Sequence, residues 1–284
     1  MNKIKALFVV PYMALAMGLG TLSLVMLAVG GVRFGWLGVA LTSWPMLIFL
    51  GGTIMSLFKG ASVRVPVCVG LGIAGLALAL YGLFAGGESA LPTFLAAAGF
   101  AGYWLYEFWY ARFGRAPAPA LQPGQPLPDF TLERDDGTPV SSRSFVGQPA
   151  IFLFYRGNWC PLCMAQIREI AGLYQQLADR GAQIVLISPQ SHAQTQKLAA
   201  RFDVPFHFLA DPGNRAAAEL GIAHQDGLPT AMTALGYDTD TVMPTVVIAD
   251  ATGTILFADE TDDYRVRPEP ETFLRVLDGT LASA

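Results

Sequence analysis

The sequence predicts two unlike parts in one chain: an α/β domain with a parallel-cored central sheet in the second half, preceded by an all-α region of about four transmembrane helices. Charge carries the first part of that reading. Residues 1–115 hold seven Lys/Arg and two Asp/Glu, while 116–284 hold eleven and twenty, so the net charge divides as +5 and −9. A shift that sharp implies separate domains. Long uncharged stretches fill the first half, and in the second, short apolar runs alternate with amphipathic segments in the manner of βα units. The overall 53% apolar content averages over this contrast.

The uncharged stretches are Ala6 to Val32, Phe34 to Phe58, Val65 to Gly87 and Ser89 to Tyr106. Spanning a bilayer core takes roughly 20 apolar residues, with about 17 as a lower limit, which the fourth meets narrowly. Tyr103, Trp104, Tyr106, Phe108, Trp109 and Tyr110 at its end read as an interfacial belt, with Glu107 reaching water from it. Lys3, Lys5, Lys59, Arg64, Arg112 and Arg115 fall in alternate loops opposite Arg33 and Glu88. The positive-inside rule then puts both termini on the cytoplasmic side of a bacterial-type inner or plasma membrane. The spans carry no charge pair or histidine pair that argues for transport, so the expected role of residues 1–115 is an anchor in the lipid bilayer. The glycines of Gly18-Leu-Gly20 and Gly70-Leu-Gly72 are candidates for close helix approach.

Residues 116–128 contain five prolines and are expected to form a semi-extended tether. The third segment, 129–284, opens with a hairpin turning at Asp136-Gly137. Ala150 to Tyr155 and Gln183 to Ser188 are strand-length apolar runs. Ala193 to Phe202 and Asn214 to Leu220 read as helices, with a short strand from Pro205 to Leu209 between them. Gly221 to Thr241 is a long segment without periodicity, of a kind that is usually functional or mobile. Met243 to Ala249 and Thr254 to Ala258 form a second hairpin through Gly253, and a final amphipathic helix turns Phe273, Leu274 and Leu277 inward.

The chemistry lies at Cys160-Pro161-Leu162-Cys163, immediately after the first of these strands. Pro161 suits the first position of a helix, which puts Cys160 at the N-cap. There the helix dipole and unpaired N–H groups favour a thiolate, so Cys160 is the expected nucleophile and Cys163, one turn on, the thiol that resolves a mixed disulfide. A zinc site needs further ligands, and Met164 departs from the haem-attachment pattern. The reading is therefore a redox dithiol with no metal and no cofactor.

Pro128-Asp-Phe130-Thr-Leu, Asp136-Gly137, Phe154-Tyr-Arg-Gly-Asn-Trp-Cys-Pro-Leu-Cys163, Met243-Pro-Thr245, Asp250-Ala-Thr-Gly253 and Asp263-Tyr-Arg-Val-Arg-Pro268 together resemble the thioredoxin superfamily. The nearest group is the redoxins that include alkyl hydroperoxide reductase and thiol-specific antioxidant proteins. The resemblance implies a thioredoxin-like fold, a mixed central sheet flanked by helices. It also implies a cis proline at Pro244 facing the cysteines, with Met243, Pro244 and Trp159 shaping the substrate surface and Arg156 steadying the thiolate. Two departures from the pattern involve three positions. Leu153 and Gly157 stand where peroxidases of this group carry a Pro and a Thr or Ser that cradle peroxide, and Phe154 stands where thioredoxins carry a buried acid. The sequence therefore ranks disulfide exchange first and hydroperoxide reduction second. The expected partners are a disulfide-bearing protein or a hydroperoxide and a thiol electron donor, with no nucleic acid. A non-catalytic docking module is the alternative of another class, which the intact Cys160/Cys163 pair argues against.

Overall fold

The computed structural model describes residues 2–55, 66–238 and 240–280, and the cationic turn expected at Lys59 and Arg64 lies outside them. The described residues form two compact units, 7–55 with 66–112, and 113–280 with the first few residues of the chain.

The first unit is helical: α1 (Asn2–Gly30), α2 (Phe34–Ile54), α3 (Pro66–Phe84) and α4 (Ala90–Leu105). Its packing is built on glycines. A side chain at Gly38 would lie 2.4 Å from the Gly75 carbonyl, and one at Gly75 would lie 2.8 Å from the Gly38 carbonyl, so α2 and α3 cross backbone to backbone. Of the glycines singled out from the sequence, Gly72 admits the Phe100 ring and Gly20 the Trp44 indole, while Gly18 and Gly70 meet nothing. The Glu88 carboxylate accepts the N–H groups of Phe34 and Gly35 at 2.8 and 2.9 Å. It thereby places an anion at the N-terminus of α2, where the helix dipole favours one.

Two expectations for this region are corrected. Among the described residues, α1, α2 and α3 alone are long and apolar enough to cross a membrane, by length and composition. The fourth helix has 16 residues and passes into π-helical turns at Tyr106–Tyr110. Glu107 is 5% exposed and accepts the Tyr103 hydroxyl at 3.2 Å, because the wider π turn carries it inward rather than to water.

The second unit has a mixed seven-stranded sheet in the order β2-β1-β5-β4-β3-β8-β9. The strands are β1 (Thr131–Glu133), β2 (Pro139–Ser141), β3 (Ala150–Phe154), β4 (Gln183–Ser188), β5 (His207–Ala210), β8 (Thr245–Ala249) and β9 (Ile255–Asp259), and a separate small pair joins β6 (Ala223–His224) to β7 (Thr241–Val242). β3, β4 and β5 run parallel, while β8 lies antiparallel on β3 and β9 on β8. The helices are α5 (Pro161–Gly172), α6 (Tyr174–Ala178), α7 (His192–Ala199), α8 (Arg215–Glu219) and α9 (Pro270–Leu277). This is the thioredoxin-like α/β class that the sequence predicts. All five residues of β3 are buried, as its continuous apolar run requires of a strand covered on both faces.

The proline-rich stretch is not a tether. Ala118 and Leu121 are 3% and 0% exposed within the same core cluster as Phe130, Phe152 and Val247, and Pro119–Leu121 forms a 3-10 turn. Just before it, Arg115 is paired with Glu260 at 2.8 Å, both side chains nearly buried. The prolines stiffen this segment for packing; apolar Leu121 and Ala118 supply the reason it packs.

Candidate active site

β3 ends at Phe154, and the next nine residues build the site. Tyr155 still donates its N–H to the Ile187 carbonyl of β4 at 2.9 Å. The chain then turns at Gly157, whose φ of +145° belongs to the region open to glycine. A Cβ there would lie 2.6 Å from the Trp159 indole nitrogen, so no threonine can stand at this position without moving the ring. The other departure from the peroxidase pattern has an equally local cause. Leu153 sits between Leu186 and Val246 in the middle of the sheet, where a proline would remove a ladder bond. Phe154 packs in the apolar core near Phe130, leaving no carboxylate at that point to relay a proton.

Cys160 caps α5 and Pro161 occupies its first position. The Cys160 N–H reaches back to the Gly157 carbonyl at 3.1 Å, and the Cys163 N–H donates to the Cys160 sulfur at 3.4 Å. The two sulfurs are 2.7 Å apart, close enough to share a proton. Cys160 is 2% exposed and Cys163 0%.

Burial raises the pKa of both thiols. At Cys163 it is outweighed by the hydrogen bond from Cys160, the Arg267 guanidinium, the Arg156 backbone N–H and the Arg156 guanidinium, and the pKa falls to about 6. Cys160 is pushed well up by burial and by the proton it shares with Cys163, against the pull of Arg156 and Arg267. The two sulfurs thus ionise as one coupled pair, with the Arg156 and Arg267 charges favouring a thiolate on either of them. Position at a helix end favours a thiolate at Cys160, burial opposes it, and the cationic groups offset part of that cost.

Arg156, 5% exposed, donates through Nη2 to the Gly227 carbonyl at 2.6 Å. Its guanidinium lies 4.8 Å from the Trp159 ring centre and 5.7 Å from that of Tyr264, within cation–π range. Trp159, Cys160, Pro161 and Cys163 therefore share one turn with Arg156. Met243 and Pro244 lead into β8 beside this turn: Thr245 is in register with Phe154, and the Thr241 hydroxyl donates to the Arg156 carbonyl at 3.0 Å. The Met243 N–H bonds the Ile222 carbonyl at 2.8 Å, and the Pro244 carbonyl accepts the Arg115 guanidinium at 3.2 Å. The backbone that the resemblance offered to a substrate is thus occupied. No cis peptide occurs among the described residues, so Met243–Pro244 is trans, contrary to the expectation.

The sequence reading missed three contributors. Arg267, 4% exposed, was visible only as part of the Asp263-to-Pro268 motif, where the Asp263 carboxylate clamps Arg265 at 2.6 and 2.9 Å and fixes the turn ahead of it. Gln190 accepts the Asn158 N–H at 2.9 Å and donates to the Tyr155 hydroxyl at 3.0 Å. Tyr237 meets the site from the aperiodic segment: its ring packs edge-on to Trp159 with centroids 6.4 Å apart, and its hydroxyl donates to the Asn158 side-chain carbonyl. Among the described residues, no three His, Cys, Asp or Glu side chains gather to hold a metal ion.

A strand entering a helix through a cysteine cap, on a mixed sheet of this order, is a thioredoxin-like arrangement. The AhpC/TSA family model matches residues 123–258, so this part of the chain is similar to the redoxins of that family. Chloroplastic peroxiredoxin Q of Sedum lineare is 33% identical over 99 residues, covering 35% of this chain and 53% of that protein. The Triticum aestivum protein of the same name is 30% identical over 122 residues, covering 39% and 56%. The chain thus spans little more than half the length of these relatives. Among solved structures, Enterococcus faecalis AhpC is similar at a TM-score of 0.45 and 20% identity, over 56% of this chain and 91% of that one.

The predicted placement, an integral protein of a bacterial-type membrane with its redox domain on the cytoplasmic side, is corrected here. The named relatives are chloroplastic proteins. The physical weakness lay in the span count: loop charges assign a side only if every counted helix crosses, and α4 falls short of the length used for that count.

Proposed function

We propose that the redox unit is a thiol-dependent peroxidase, in which Cys160 attacks a hydroperoxide and Cys163 resolves the product. The observation that carries this is the 2.7 Å separation of two sulfurs that are almost entirely shut off from solvent. A hydroperoxide fits a buried dithiol; a protein disulfide, which brings its own chain to the sulfur, does not. The match to the AhpC/TSA family and the peroxiredoxin Q relatives supports the same order. It reverses the ranking that put disulfide exchange first.

In this mechanism the cysteine pair, singly ionised, carries its charge on Cys160 and its remaining proton on Cys163 when the hydroperoxide arrives. The Cys160 thiolate then attacks the terminal peroxide oxygen; the O–O bond breaks, an S–O bond forms, and the departing alkoxide takes up the proton held by Cys163. The result is a sulfenic acid on Cys160 and a thiolate on Cys163. Attack of that thiolate forms the S–S bond and expels hydroxide, protonated from solvent to water. Two electrons from an external thiol donor restore the dithiol. Arg156 and Arg267 stabilise the negative charge as it passes from sulfur to oxygen.

The test is peroxide consumption by the full chain with a dithiol reductant. Cys160→Ser is expected to abolish peroxide-dependent oxidation. Cys163→Ser is expected to undergo one oxidation and accumulate Cys160 sulfenic acid or a mixed disulfide. Turnover of insulin disulfides without peroxide turnover would overturn the proposal and restore disulfide exchange.

A further inference from the structure

We propose that Tyr237, latched to Asn158, determines the size of oxidant that reaches Cys160; this inference rests on the peroxidase reading above and adds a specificity-determining residue to it. Asn158 is the fixed post. Its N–H is held by Gln190 at 2.9 Å, and Gln190 is itself buried and donates to Tyr155 and Thr195 at 3.0 and 3.3 Å. The side-chain carbonyl of Asn158 is then presented to the Tyr237 hydroxyl, which donates to it. The Tyr237 ring lies edge-on to Trp159, the residue directly before the nucleophile.

The segment carrying Tyr237 is built to move as a strap. At one end, Gly227 accepts Arg156 at 2.6 Å, and Asp240 accepts the Asp226 N–H at 2.8 Å, drawing the base of the strap together. Between them, among the described residues, the only regular structure is the 3-10 turn Thr230–Leu235, in which no residue is buried. Leu235 is 63% exposed, and the turn is held by bonds such as Gly236 N–H to the Thr233 carbonyl at 3.0 Å and the long Thr230 hydroxyl bond to the Ala6 carbonyl at 3.4 Å. A segment with few buried apolar contacts opens locally at low free energy, and the Tyr237 side chain is where this one grips the cysteine turn.

The size argument follows from geometry. Hydrogen peroxide needs a gap of side-chain scale to reach the Cys160 sulfur. A disulfide needs its sulfur in line with that sulfur while its own flanking groups occupy the space held by Tyr237 and Trp159. With the latch shut, peroxide is admitted and larger disulfides are refused.

The experiment compares the full chain with Tyr237→Ala and Tyr237→Phe, reading two rates on the reduced protein: oxidation by hydrogen peroxide, and mixed-disulfide formation with oxidised glutathione followed by mass spectrometry. Losing an aromatic contact and a hydrogen bond is expected to raise the glutathione-disulfide rate of Tyr237→Ala by about tenfold or more, with a smaller rise in Tyr237→Phe. The peroxide rate moves much less. An unchanged ratio of the two rates in both variants, with circular dichroism like that of the parent, overturns the proposal. Should Tyr237→Ala not fold, the hydroxyl deletion in Tyr237→Phe carries the test alone. If the parent proves inert to peroxide while the disulfide rate still rises in the variants, the peroxidase reading falls and the latch stands.

Discussion

From Tyr155 to Cys163 the chain is tied down residue by residue: strand bonding at Tyr155, a buried guanidinium at Arg156 bonded to Gly227, a glycine turn filled by an indole, and a helix capped by its own sulfur. From Gly227 to Tyr237, the segment that meets this turn has a short exposed 3-10 turn and little else. The two regions divide the work. The first fixes where two sulfurs sit and how they share a proton, which demands rigidity; the second governs what reaches them, which demands the opposite. Over-determined and under-determined backbone, placed side by side, separate reactivity from access.

The sharpest way to break this division is to remove a charge from the rigid side without touching the strap. Arg267 is among the groups that pull the first ionisation of the cysteine pair down to about 6. The peroxide rate should therefore rise with pH through that value and level off above it. In Arg267→Met the midpoint moves up by roughly 1–3 pH units, since that is what loss of an opposite charge does to a thiolate. Near neutral pH the rate should fall by about tenfold, recovering in part at alkaline pH. Rates of peroxide oxidation across pH check this, and an unmoved midpoint would show that Arg267 acts by packing alone.

A smaller effect is expected at the hinge between the two regions. Gly157→Thr restores the residue type that peroxidases of this group carry there, yet it should harm this protein. The φ of +145° costs a β-branched residue about 1–3 kcal/mol, and the new Cβ meets the Trp159 ring at 2.6 Å. Thermal unfolding should show that loss. Displacing Trp159 should also loosen the Tyr237 contact, so oxidised glutathione gains access as it does in Tyr237→Ala. A stable, peroxide-competent Gly157→Thr protein would mean that the turn is not the rigid element described here.

Much of the rigid side was legible in the sequence, because its signals are local. A continuous apolar run reads as a covered strand, a proline after a cysteine reads as a helix start, and spacing puts Cys163 one turn from Cys160. Arg267, Gln190 and Tyr237 were not legible as site residues, since sheet order and the return of the chain bring them to the cysteines across 30 to 100 residues of sequence. The proline-rich tether failed because proline content speaks to stiffness and not to burial, which Leu121 and Ala118 decide. The fourth span is not confirmed, since α4 has 16 residues, just under the length a crossing takes.

The least effect, and the one that tests the strap's foundation, concerns His224 in the small β6–β7 pair beside it. Burial first, and then the Arg156 charge, lower its pKa to about 3, so the folded protein holds it neutral while the unfolded chain protonates it near the ordinary histidine value of about 6.5. Between those two values the unfolded state binds more protons than the folded one, so stability rises with pH and is lost as pH falls below about 6.5. The slope from this one residue is at most roughly 1.4 kcal/mol per pH unit. His224→Gln, which cannot titrate, should flatten the decline in unfolding free energy between about pH 6.5 and 5, before the carboxylates begin to contribute. Because His224 packs edge-on to Phe113 with ring centres 5.1 Å apart, its protonation should release the base of the strap before the cysteine turn. Acid would then raise the oxidised-glutathione rate relative to the peroxide rate in the parent and leave the ratio level in His224→Gln. A ratio that rises equally in both would assign the acid response to some other group and leave the strap's base rigid.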